Sequence, residues 1–419
     1  MKILVVSQYF WPENFRINDL CAELVRRGHQ VTVLTGKPNY PDGKVFPDFH
    51  SNPDDFNQYQ GCQLVRVPMI PRGKGSSVKL LMNYISYFIS ASIVGSWKLK
   101  GQSFDMIFVF EPSPVTVCLP ALFLKKLKKA PVVFWVLDLW PETLEAVGVV
   151  KSKPLLILVS KLVAFIYNRC DLVLGHSKAF YDGIARYCTD RSKIKYFPSW
   201  SEDVFLNTVT SSVQDIVKHD GVFKILFAGN IGDAQDFPAI LQTVNLLKTK
   251  QLKVKIFVVG DGRAFEWVKS EIIKQKLENY IYMLGRHPLE SMPSFYMSVD
   301  ALLVTLQESP VFAMTIPGKV QSYMAAGKPI LTMLSGEGSR IIDEAGCGYT
   351  SKSGDYDQLA NNVIVMSKLE PDELVVLGQK AKYYAQSEFD RDTLITQLEN
   401  WFVDLQKKSK ILNANGKRS

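Results

Sequence analysis

Two glycine-rich turns, each directly after a predicted strand, are the first candidates for chemistry in this chain. They are Gly229–Gly232 (GNIG) and Gly260–Arg263 (GDGR). Glycine lets backbone N–H groups approach an anion closely, and an arginine side chain can bind two phosphate oxygens at once. One such turn is a weak signal, because tight turns between strands and helices often contain glycine. Two of them at corresponding ends of neighbouring predicted strands indicate a diphosphate site.

A third candidate combines a helix start with a lysine. Residues Thr315–Lys319 (TIPGK) lead into a predicted helix, Val320–Ala326. The N-terminus of a helix attracts anions, and proline is common near that position. Lys319 therefore predicts a phosphate contact, whereas a lysine without such a context is usually only solvated.

Two carboxylates follow a predicted strand of the first half. Asp138 and Glu142 belong to the string DLWPE, which comes after the apolar run Val132–Leu137. At the carboxyl end of a strand, such a pair could orient or deprotonate a sugar hydroxyl, with Trp140 as an apolar platform for the ring. Alternatively, Glu142 only occupies the first turn of a helix that begins at Pro141.

The loop Ser7–Arg16 separates the first predicted strand from a helix. Asn14 and Arg16 at the entry to that helix could meet a phosphate through backbone N–H groups and a fixed cation. The alternative is a rigid aromatic loop that packs on its own domain. His287, which follows another predicted strand, is placed to contact a nucleotide, although a surface loop accounts for it almost as well.

Short β-branched runs that alternate with helical segments provide the scaffold for these candidates. The predicted strands are Ile3–Val6, Val31–Thr35, Met106–Phe110, Val132–Leu137, Leu172–Leu174, Phe223–Ala228, Val254–Val259, Ile281–Leu284, Ala301–Thr305 and Ile330–Met333. Alternating strands and helices predict parallel sheets with right-handed crossovers. The two series predict an α/β protein of two doubly wound domains, residues 1–200 and 201–390, followed by a C-terminal helix and polar tail over 391–419. Ligands are expected between the domains, beyond the carboxyl ends of the strands.

Charge is unevenly distributed along the chain. The net charge is +8, and residues 1–200 hold 25 Lys and Arg against 15 Asp and Glu. A basic half suits an anionic partner, either nucleic acid or a membrane surface, unless the asymmetry is accidental. No zinc finger, helix-turn-helix or aromatic RNA-binding motif is present, so nucleic acid is not the expected partner. The basic cluster Lys125–Lys129 could face a membrane or complement the C-terminus of its own helix.

The run Leu80–Trp97 contains eighteen residues without a charge. Asn83, Ser86 and Ser90 recur at helical spacing on one side, which leaves a broad apolar surface on the other. The members of that surface are Leu80, Leu81, Tyr84, Ile85, Phe88 and Trp97. Lysines on both flanks make this pattern typical of a helix that lies at a membrane interface. The alternatives are an ordinary helix packed on its own domain and a helix that crosses the membrane.

Several common site types are excluded by their missing motifs. No GxGxxG follows the first strand, which disfavours a dinucleotide-dependent dehydrogenase, and no GxxxxGK[ST] exists for a P-loop NTPase. The six cysteines lie far apart without metal-ligand spacing, so neither a disulfide framework nor a zinc module is expected. The apolar start MKILVV is too short for a signal peptide, which favours a cytoplasmic protein.

The order of these motifs resembles a known superfamily. The strings KILVVSQYFWPE, LVRRGHQVTVLTG, GNIG, VVGDGR, LGR and IPGKVQSYMAAGKPI resemble the retaining nucleotide-sugar glycosyltransferases of the GT-B type, which include sucrose synthase and bacterial mannosyltransferases. The strings SQYFWPENFRIND, TGKPNYPDG, NYISY, VLDLWPE and PGKVQSYMAAGKP are similar to one subgroup, the N-acetyl-L-fucosamine transferases of bacterial O-antigen and capsule gene clusters. The resemblance implies two Rossmann-like domains that face each other across a cleft, with the acceptor in the first and a UDP-sugar in the second.

The resemblance also implies roles for individual residues. The donor-binding residues would be Asn14, Arg16, Gly229, Asn230, Gly232, Asp261, Gly262, Arg263, His287, Thr315, Lys319 and Ser322, and the catalytic ones Asp138 and Glu142. No metal or other cofactor is expected, because the UDP-sugar is a co-substrate and cations replace a metal at the leaving diphosphate.

This chain departs from the family pattern at three places. Where the family has two glutamates, the second of which holds the ribose, this chain has Met314 and Ser322. An arginine and a lysine of the family are missing from Gly229–Asp236, which shifts the diphosphate contacts to Arg263, Lys319 and backbone amides. A histidine that is common in the first domain is replaced by Asp138.

The sequence therefore predicts a glycosyltransferase that is cytoplasmic and peripheral on the anionic inner face of the cytoplasmic membrane. It would move N-acetyl-L-fucosamine from UDP to a saccharide carried on undecaprenyl diphosphate. One alternative is a UDP-sugar 2-epimerase of the same fold, which needs no lipid acceptor. The other is a nucleotide-sugar-binding protein without catalysis, which the missing glutamates suggest.

Overall fold

The computed structural model describes the chain apart from residues 74–76, 147–149, 151, 202, 206–212, 214–220 and 416–419. It contains two compact units. The first unit comprises Met1–Pro198 together with Asp392–Ser419, and the second comprises Ser199–Arg391. The C-terminal segment, which the sequence analysis sets apart, thus belongs to the first unit.

Strands and helices alternate along the described residues. The strands are β1 Lys2–Val6, β2 Gln30–Thr35, β3 Gln58–Tyr59, β4 Cys62–Arg66, β5 Met106–Glu111, β6 Val132–Val136, β7 Leu172–Gly175, β8 Ile194–Tyr196, β9 Phe223–Ala228, β10 Val254–Val259, β11 Ile281–Gly285, β12 Ala301–Thr305, β13 Ile330–Met333 and β14 Gly348–Ser351. The helices are α1 Arg16–Arg26, α2 Pro47–Ser51, α3 Ser77–Ser90, α4 Ser96–Lys98, α5 Cys118–Lys128, α6 Glu142–Ala146, α7 Lys153–Arg169, α8 Phe180–Ala185, α9 Phe237–Thr249, α10 Phe265–Lys274, α11 Met292–Met297, α12 Pro310–Met314, α13 Gly318–Ala325, α14 Glu337–Ala345, α15 Tyr356–Met366, α16 Pro371–Glu388 and α17 Arg391–Asn415.

The first unit is built on an eight-stranded sheet of order β3-β4-β2-β1-β5-β6-β7-β8. All pairs are parallel except the short β3–β4 pair. Its central strands are continuous apolar runs because helices cover both faces of a parallel sheet. The C-terminal helix α17 packs on this sheet, where Phe402 contacts the ring of Phe108 at a centroid distance of 6.0 Å. The predicted strands of this half are confirmed, and β3, β4 and β8 are additional.

The second unit contains a six-stranded parallel sheet of order β11-β10-β9-β12-β13-β14. In chain order, β10 and β11 are added on one side of β9, and β12, β13 and β14 are added on the other side. The direction of winding therefore reverses between β9 and β12. One apolar core lies around α9 and α15 and includes Val244 and Leu359. The other lies around α13 and α16 and includes Tyr323 and Ala381. The predicted α/β class with two parallel sheets is confirmed.

The helical stretch Val78–Lys98 stands out among the described residues. By length and composition alone it could cross a membrane, and its most apolar part is 28% buried. It runs through α3, a π-helical turn at Ala91–Gly95 and α4. α5 contacts both α3 and α7, so these helices form one layer on the first sheet.

Candidate functional site

The two glycine turns lie side by side at the carboxyl edge of the second sheet. The N–H of Gly229 donates to the carbonyl of Val259 at 2.8 Å, and the N–H of Ile231 donates to that of Asp261 at 2.9 Å. The approach leaves no room for a side chain: a Cβ on Gly260, at φ +143°, would lie 1.8 Å from the Gly229 carbonyl oxygen. Glycine is therefore required for these backbones to meet at the edge where the winding reverses, which is where ligands bind in such sheets.

Lys319 reaches this edge from the N-terminus of α13. The residue as a whole is partly exposed, but its Nζ atom is buried and has no hydrogen-bond partner among the described residues. It lies 3.6 Å from the ring centroid of Phe227, and a Cβ on Gly229 would come within 2.5 Å of its Cε. Burial lowers the pKa of Lys319 to about 7. A buried amine without an acceptor is costly, and a bound diphosphate would supply both negative charge and acceptor oxygens.

A cavity of about 580 Å³ lies against the two glycine turns. Its lining residues are Ala228, Gly229, Asn230, Val259, Gly260, Asp261, Gly262, Arg286, His287, Leu289, Met292 and Tyr296. This volume is within the range of ligand pockets. The ring of His287 is held by Phe295, at a centroid distance of 4.7 Å, and its Nε2 lies 3.2 Å from the Leu284 carbonyl oxygen. The loop after β11 thus contributes a wall of the cavity, and it contains His287, for which a nucleotide contact is predicted.

Arg286 is a cation of this cavity that is not among the predicted donor-binding residues. The predicted cation Arg263 is exposed and is not among the residues that line the cavity. Arg286 follows β11 directly and Arg263 lies four residues after the end of β10, and the sequence alone offers no means to choose between them. The proposed phosphate contact of Arg263 stays a prediction.

Two further residues of the second unit position the turns, and the sequence analysis missed both. The Gln235 side-chain oxygen accepts hydrogen bonds from the Gly232 N–H at 3.1 Å and the Asn230 amide at 3.2 Å. The Tyr323 hydroxyl accepts from the Ala228 N–H at 2.9 Å and lies 3.3 Å from the Ala228 carbonyl oxygen. Tyr323 therefore holds the end of β9 directly before the first turn.

The hydroxyl groups of Thr315 and Ser322 are engaged by the backbone. Thr315 donates to the carbonyl of Phe312 at 3.1 Å, and Ser322 donates to the carbonyl of Gly318 at 3.1 Å. Ser322 is 8% exposed on α13. Its hydroxyl therefore bonds to the backbone of the preceding helical turn. A role of Ser322 in ribose binding stays a prediction.

In the first unit, two carboxylates meet at the carboxyl ends of the neighbouring strands β5 and β6. The backbone N–H of Asp138 lies 3.4 Å from Oε2 of Glu111, which is fully buried. The Asp138 carboxylate accepts hydrogen bonds from the Trp140 indole at 3.2 Å and from the Thr143 hydroxyl. Burial raises the pKa of Asp138, and burial together with the charge of Asp138 raises the pKa of Glu111 well above its usual value. A carboxylate with a raised pKa is a better proton acceptor near neutral pH.

Glu111 escaped the sequence analysis although a signal was present. It is the last residue of an apolar strand and precedes Pro112. A charged residue at the end of a buried strand does not contribute to apolar packing, which indicates another role. Glu142, by contrast, is the first residue of α6, and its Oε1 lies 3.3 Å from Arg186 and 3.4 Å from the Tyr187 hydroxyl. These contacts favour the helix-start interpretation of Glu142.

The loop Ser7–Phe15 is fixed by an acid that the sequence analysis did not select. The buried Glu13 carboxylate accepts the N–H groups of Phe10 at 3.1 Å and of Asn39 and Tyr40 at 2.7 Å each. Burial raises the pKa of Glu13 to about 7 despite these hydrogen bonds. The predicted phosphate contact Asn14 follows as an exposed residue, and Arg16 is the first residue of α1. The alternative of a rigid loop therefore describes this segment well, and the phosphate contacts stay predictions.

Two family models match this chain, one in each unit. The model described as "Glycosyl transferase 4-like domain" matches residues 14–200, and the one described as "Glycosyl transferases group 1" matches residues 222–368. The regions around β2–β8 and around the cavity of the second unit are therefore both covered.

Relatives and solved structures with similar chains carry glycosyltransferase names or bound nucleotides. "Probable glycosyltransferase WbjE" of Pseudomonas aeruginosa is 29% identical over 245 residues, which are 56% of this chain and 60% of that protein. WcaI of Escherichia coli K12, whose name assigns it to colanic acid biosynthesis, is 22% identical over 96% of this chain and 99% of its own. The crystal structure of Anabaena HepE with UDP and glucose has a TM-score of 0.67 at 13% identity, covering 96% of this chain and 99% of that one. At that identity the likeness to HepE concerns the fold.

Proposed function

The chain belongs to the group 1 glycosyltransferases, and we propose that it transfers an N-acetylated deoxysugar from UDP to a hydroxyl group of a lipid-linked saccharide. The observation that carries the donor half of this proposal is the buried amine of Lys319, which has no partner in the described part of the chain and lies beside Gly229, next to a cavity of about 580 Å³. A nucleoside diphosphate matches this arrangement because it combines an anion for the amine with a planar base for the His287 wall. HepE, a protein of similar fold, has been crystallised with UDP.

In the proposed reaction the bond between the anomeric carbon and the diphosphate oxygen breaks, and the acceptor oxygen bonds to that carbon. Lys319 and the backbone amides of the glycine turns stabilise the negative charge that develops on the departing diphosphate. Asp138 orients the acceptor hydroxyl and accepts its proton, and the buried Glu111, whose pKa burial raises well above its usual value, lies beside it as a second carboxyl group. Water has to be kept away, because it would otherwise hydrolyse the donor.

The identity of both substrates is the finer part of the proposal. We propose N-acetyl-L-fucosamine as the sugar and undecaprenyl diphosphate as the carrier of the acceptor. The support is the likeness of the strings SQYFWPENFRIND and VLDLWPE to that subgroup. The name of WcaI, which refers to the biosynthesis of a bacterial polysaccharide, agrees with this class of product.

Calorimetric titration with UDP, GDP, TDP and ADP, with and without magnesium, tests the donor assignment. We expect UDP to bind selectively and equally well in both conditions, because Lys319 takes the place of a metal ion. Preference for another nucleotide would contradict the fucosamine assignment while leaving the glycosyltransferase family intact. No binding of any nucleotide would overturn the donor site, UDP binding without sugar transfer would favour the nucleotide-sugar-binding protein without catalysis, and release of a 2-epimer from UDP-sugars would favour the epimerase.

UDP binding should take up a proton at pH 8. Because burial lowers the pKa of Lys319 to about 7, the free protein holds this amine largely neutral at that pH. The diphosphate favours the charged form and raises its pKa, so about one proton binds with each UDP. Titration in buffers of different ionisation enthalpy measures this uptake. It should vanish below about pH 6, where the amine is already protonated, and in Lys319→Arg. An uptake that persists in Lys319→Arg would contradict the assignment.

The proposed contact with the membrane rests on the helical stretch Val78–Lys98, which runs through α3 and α4. Exposed apolar residues recur every fourth position: Leu81, Ile85, Ile89, Ile93 and Trp97, the last of them 73% exposed. The polar residues face the domain instead. Asn83 is fully buried and accepts a hydrogen bond from Gln8 at 2.6 Å, and the Ser86 hydroxyl accepts the N–H of Ile70 at 2.9 Å. Of the predicted apolar surface, Leu80, Tyr84 and Phe88 are only partly exposed, whereas Ile89 and Ile93 were missed.

The exposed apolar stripe should carry binding to lipid vesicles. We expect Ile85→Ser/Ile89→Ser/Ile93→Ser to reduce sedimentation with vesicles on the order of 100-fold or more, because each isoleucine contributes roughly 1.5–3 kcal/mol when fully buried. A suitable control is Val375→Ser/Val376→Ser, which changes two exposed valines of α16 in the second unit. Equal binding by all variants would remove this helix from the membrane contact.

A further inference from the structure

A second and larger cavity lies in the first unit, at the opposite edge of its sheet from Asp138. Its volume is about 950 Å³, and it is lined by residues directly before three strands, namely Pro131, Asp171 and Lys193. Pro131 and Asp138 bracket β6, and a strand of that length spans about 20 Å at about 3.3 Å per residue. The cavity is therefore separate from the carboxyl edge where the family chemistry takes place.

The lining of this cavity is strongly basic. It contains seven cationic side chains but only three carboxylates. The cations are Lys125, Lys126, Lys129, Arg169, Lys193, Lys195 and Lys408, and the carboxylates are Asp171, Asp190 and Asp404.

Only part of this positive charge is satisfied locally. Lys125 forms an ion pair with Asp171 at 2.6 Å, and Lys193 donates to the carbonyls of Asn168 and Cys170 at 3.0 and 2.9 Å. Among the residues that the structure describes, Lys126, Lys129 and Lys195 form no ion pair or side-chain hydrogen bond, and all three are exposed. Like charges gathered around one cavity repel each other, and a bound anion relieves this repulsion.

The cavity also has an apolar part and adjoins exposed apolar side chains. Leu122, Trp401 and Leu405 line it together with the cations. Its helices α5 and α7 expose apolar residues toward their ends: Leu127, next to Lys126, is 55% exposed, and Phe165, on which the Arg169 guanidinium stacks at 3.7 Å, is 43% exposed. A free phosphate would need only the cations, whereas an amphiphile with a phosphate head group matches the whole lining.

We propose that this cavity binds the phosphate head group of an anionic phospholipid, in the membrane that the apolar helix layer contacts. The inference rests on the membrane half of the proposed function and adds to it a defined head-group site. Two lysines of the cluster Lys125–Lys129 bond to carbonyls outside their own helix. Lys125 donates to the carbonyl of Arg169 at the end of α7, and Lys128 donates to the carbonyls of Leu99 and Gln102, while Lys126 and Lys129 remain for the lipid.

Vesicle sedimentation with matched lysine variants tests the site. The cavity variant is Lys126→Gln/Lys129→Gln/Lys195→Gln, and the control is Lys2→Gln/Lys44→Gln/Lys178→Gln, which changes three exposed lysines of the same unit outside both the cavity and the helices α3, α4, α5 and α7. The vesicles contain equal parts of phosphatidylcholine and phosphatidylglycerol, or phosphatidylcholine alone. We expect the cavity variant to lose on the order of 100-fold in binding to the anionic vesicles and the control at most about tenfold. Unchanged thermal unfolding of both variants would show that they are folded.

The outcomes separate this inference from the proposed function. Equal losses in the two variants would mean general charge attraction and would overturn the head-group site, while the membrane association stands. A wild-type protein that binds neither kind of vesicle would overturn both. Titration with inorganic phosphate and glycerol phosphate tests a soluble source of the anion. If the wild type bound these compounds tightly and the cavity variant lost that binding but still bound vesicles like the wild type, the cavity would belong to a soluble ligand instead.

Discussion

Replacing Lys319 by methionine should weaken UDP binding on the order of 100-fold and slow sugar transfer roughly 100- to 1,000-fold. Methionine retains most of the buried aliphatic chain beside Phe227 and Gly229 but removes the amine. The losses of affinity and rate therefore measure the interaction of the Lys319 charge with the diphosphate. This interaction is present in the ground state and is stronger in the transition state. Calorimetry measures the UDP affinity, and a donor-consumption assay measures the rate.

The same variant should not be less stable than the wild type. Between about pH 7 and pH 10 the unfolded chain holds a proton on Lys319 that the folded chain largely lacks, because burial lowers the pKa of this amine to about 7 in the fold. Wild-type stability therefore falls as the pH drops through this window, and Lys319→Met removes that dependence. A matched control is Lys269→Met, an exposed lysine on α10 of the same unit, which should leave binding and rate unchanged. Unchanged kinetics in Lys319→Met would exclude this lysine from the site.

Replacing Asp138 by asparagine should slow transfer roughly 100- to 10,000-fold while UDP affinity stays within about twofold. Asparagine has the same shape, and it can keep the local structure with its oxygen toward the Trp140 indole and its NH2 group donating to the Thr143 hydroxyl, which accepts as well as donates. What it lacks is the negative charge that orients the acceptor hydroxyl and receives its proton. The rate of transfer to a lipid-linked acceptor and the UDP titration measure the two effects separately.

Glu142→Gln is the matched control for Asp138→Asn. Glu142 lies four residues further along the chain, and its carboxylate contacts Arg186 and Tyr187. We expect this variant to lose less than about tenfold in rate, the size of a lost exposed ion pair. If Asp138→Asn lost UDP binding and thermal stability together with activity, Asp138 would be a structural residue. If Glu142→Gln were the slower variant, the catalytic role would belong to Glu142.

The apolar strands and the glycine turns were readable from the sequence because both depend on local chemistry. Runs such as Ile3–Val6 and Val254–Val259 are apolar on both faces, as buried parallel strands must be, and the structure places β1 and β10 there. The turns after β9 and β10 need glycine for their own backbone conformations. The short strands β3, β4 and β8 were missed because they carry exposed or polar residues and lack that continuous pattern.

Other features of the site depend on strand order and burial, which no local pattern records. The order of the sheet decides that β9 lies between β10 and β12, and so brings both glycine turns and the start of α13 to one edge. It also brings Arg286 to the cavity, while Arg263, in the turn after the neighbouring strand β10, stays outside its lining. Glu111 becomes a neighbour of Asp138 only because β5 pairs with β6.

The sequence by itself thus determined the fold class, the glycine turns, and the residue types that could meet a diphosphate and a hydroxyl. Only the tertiary structure decided that the Lys319 amine is buried without a partner among the residues it describes, and that α3 directs Asn83 inward and its isoleucines outward. The tertiary structure also gathers cations from α5, β8 and α17 around one cavity. The physical reason is that backbone propensity and apolar periodicity act over a few neighbouring residues. Burial, pKa shifts and charge clusters, in contrast, arise between side chains that are distant in the chain and are brought together by the packing of the sheets.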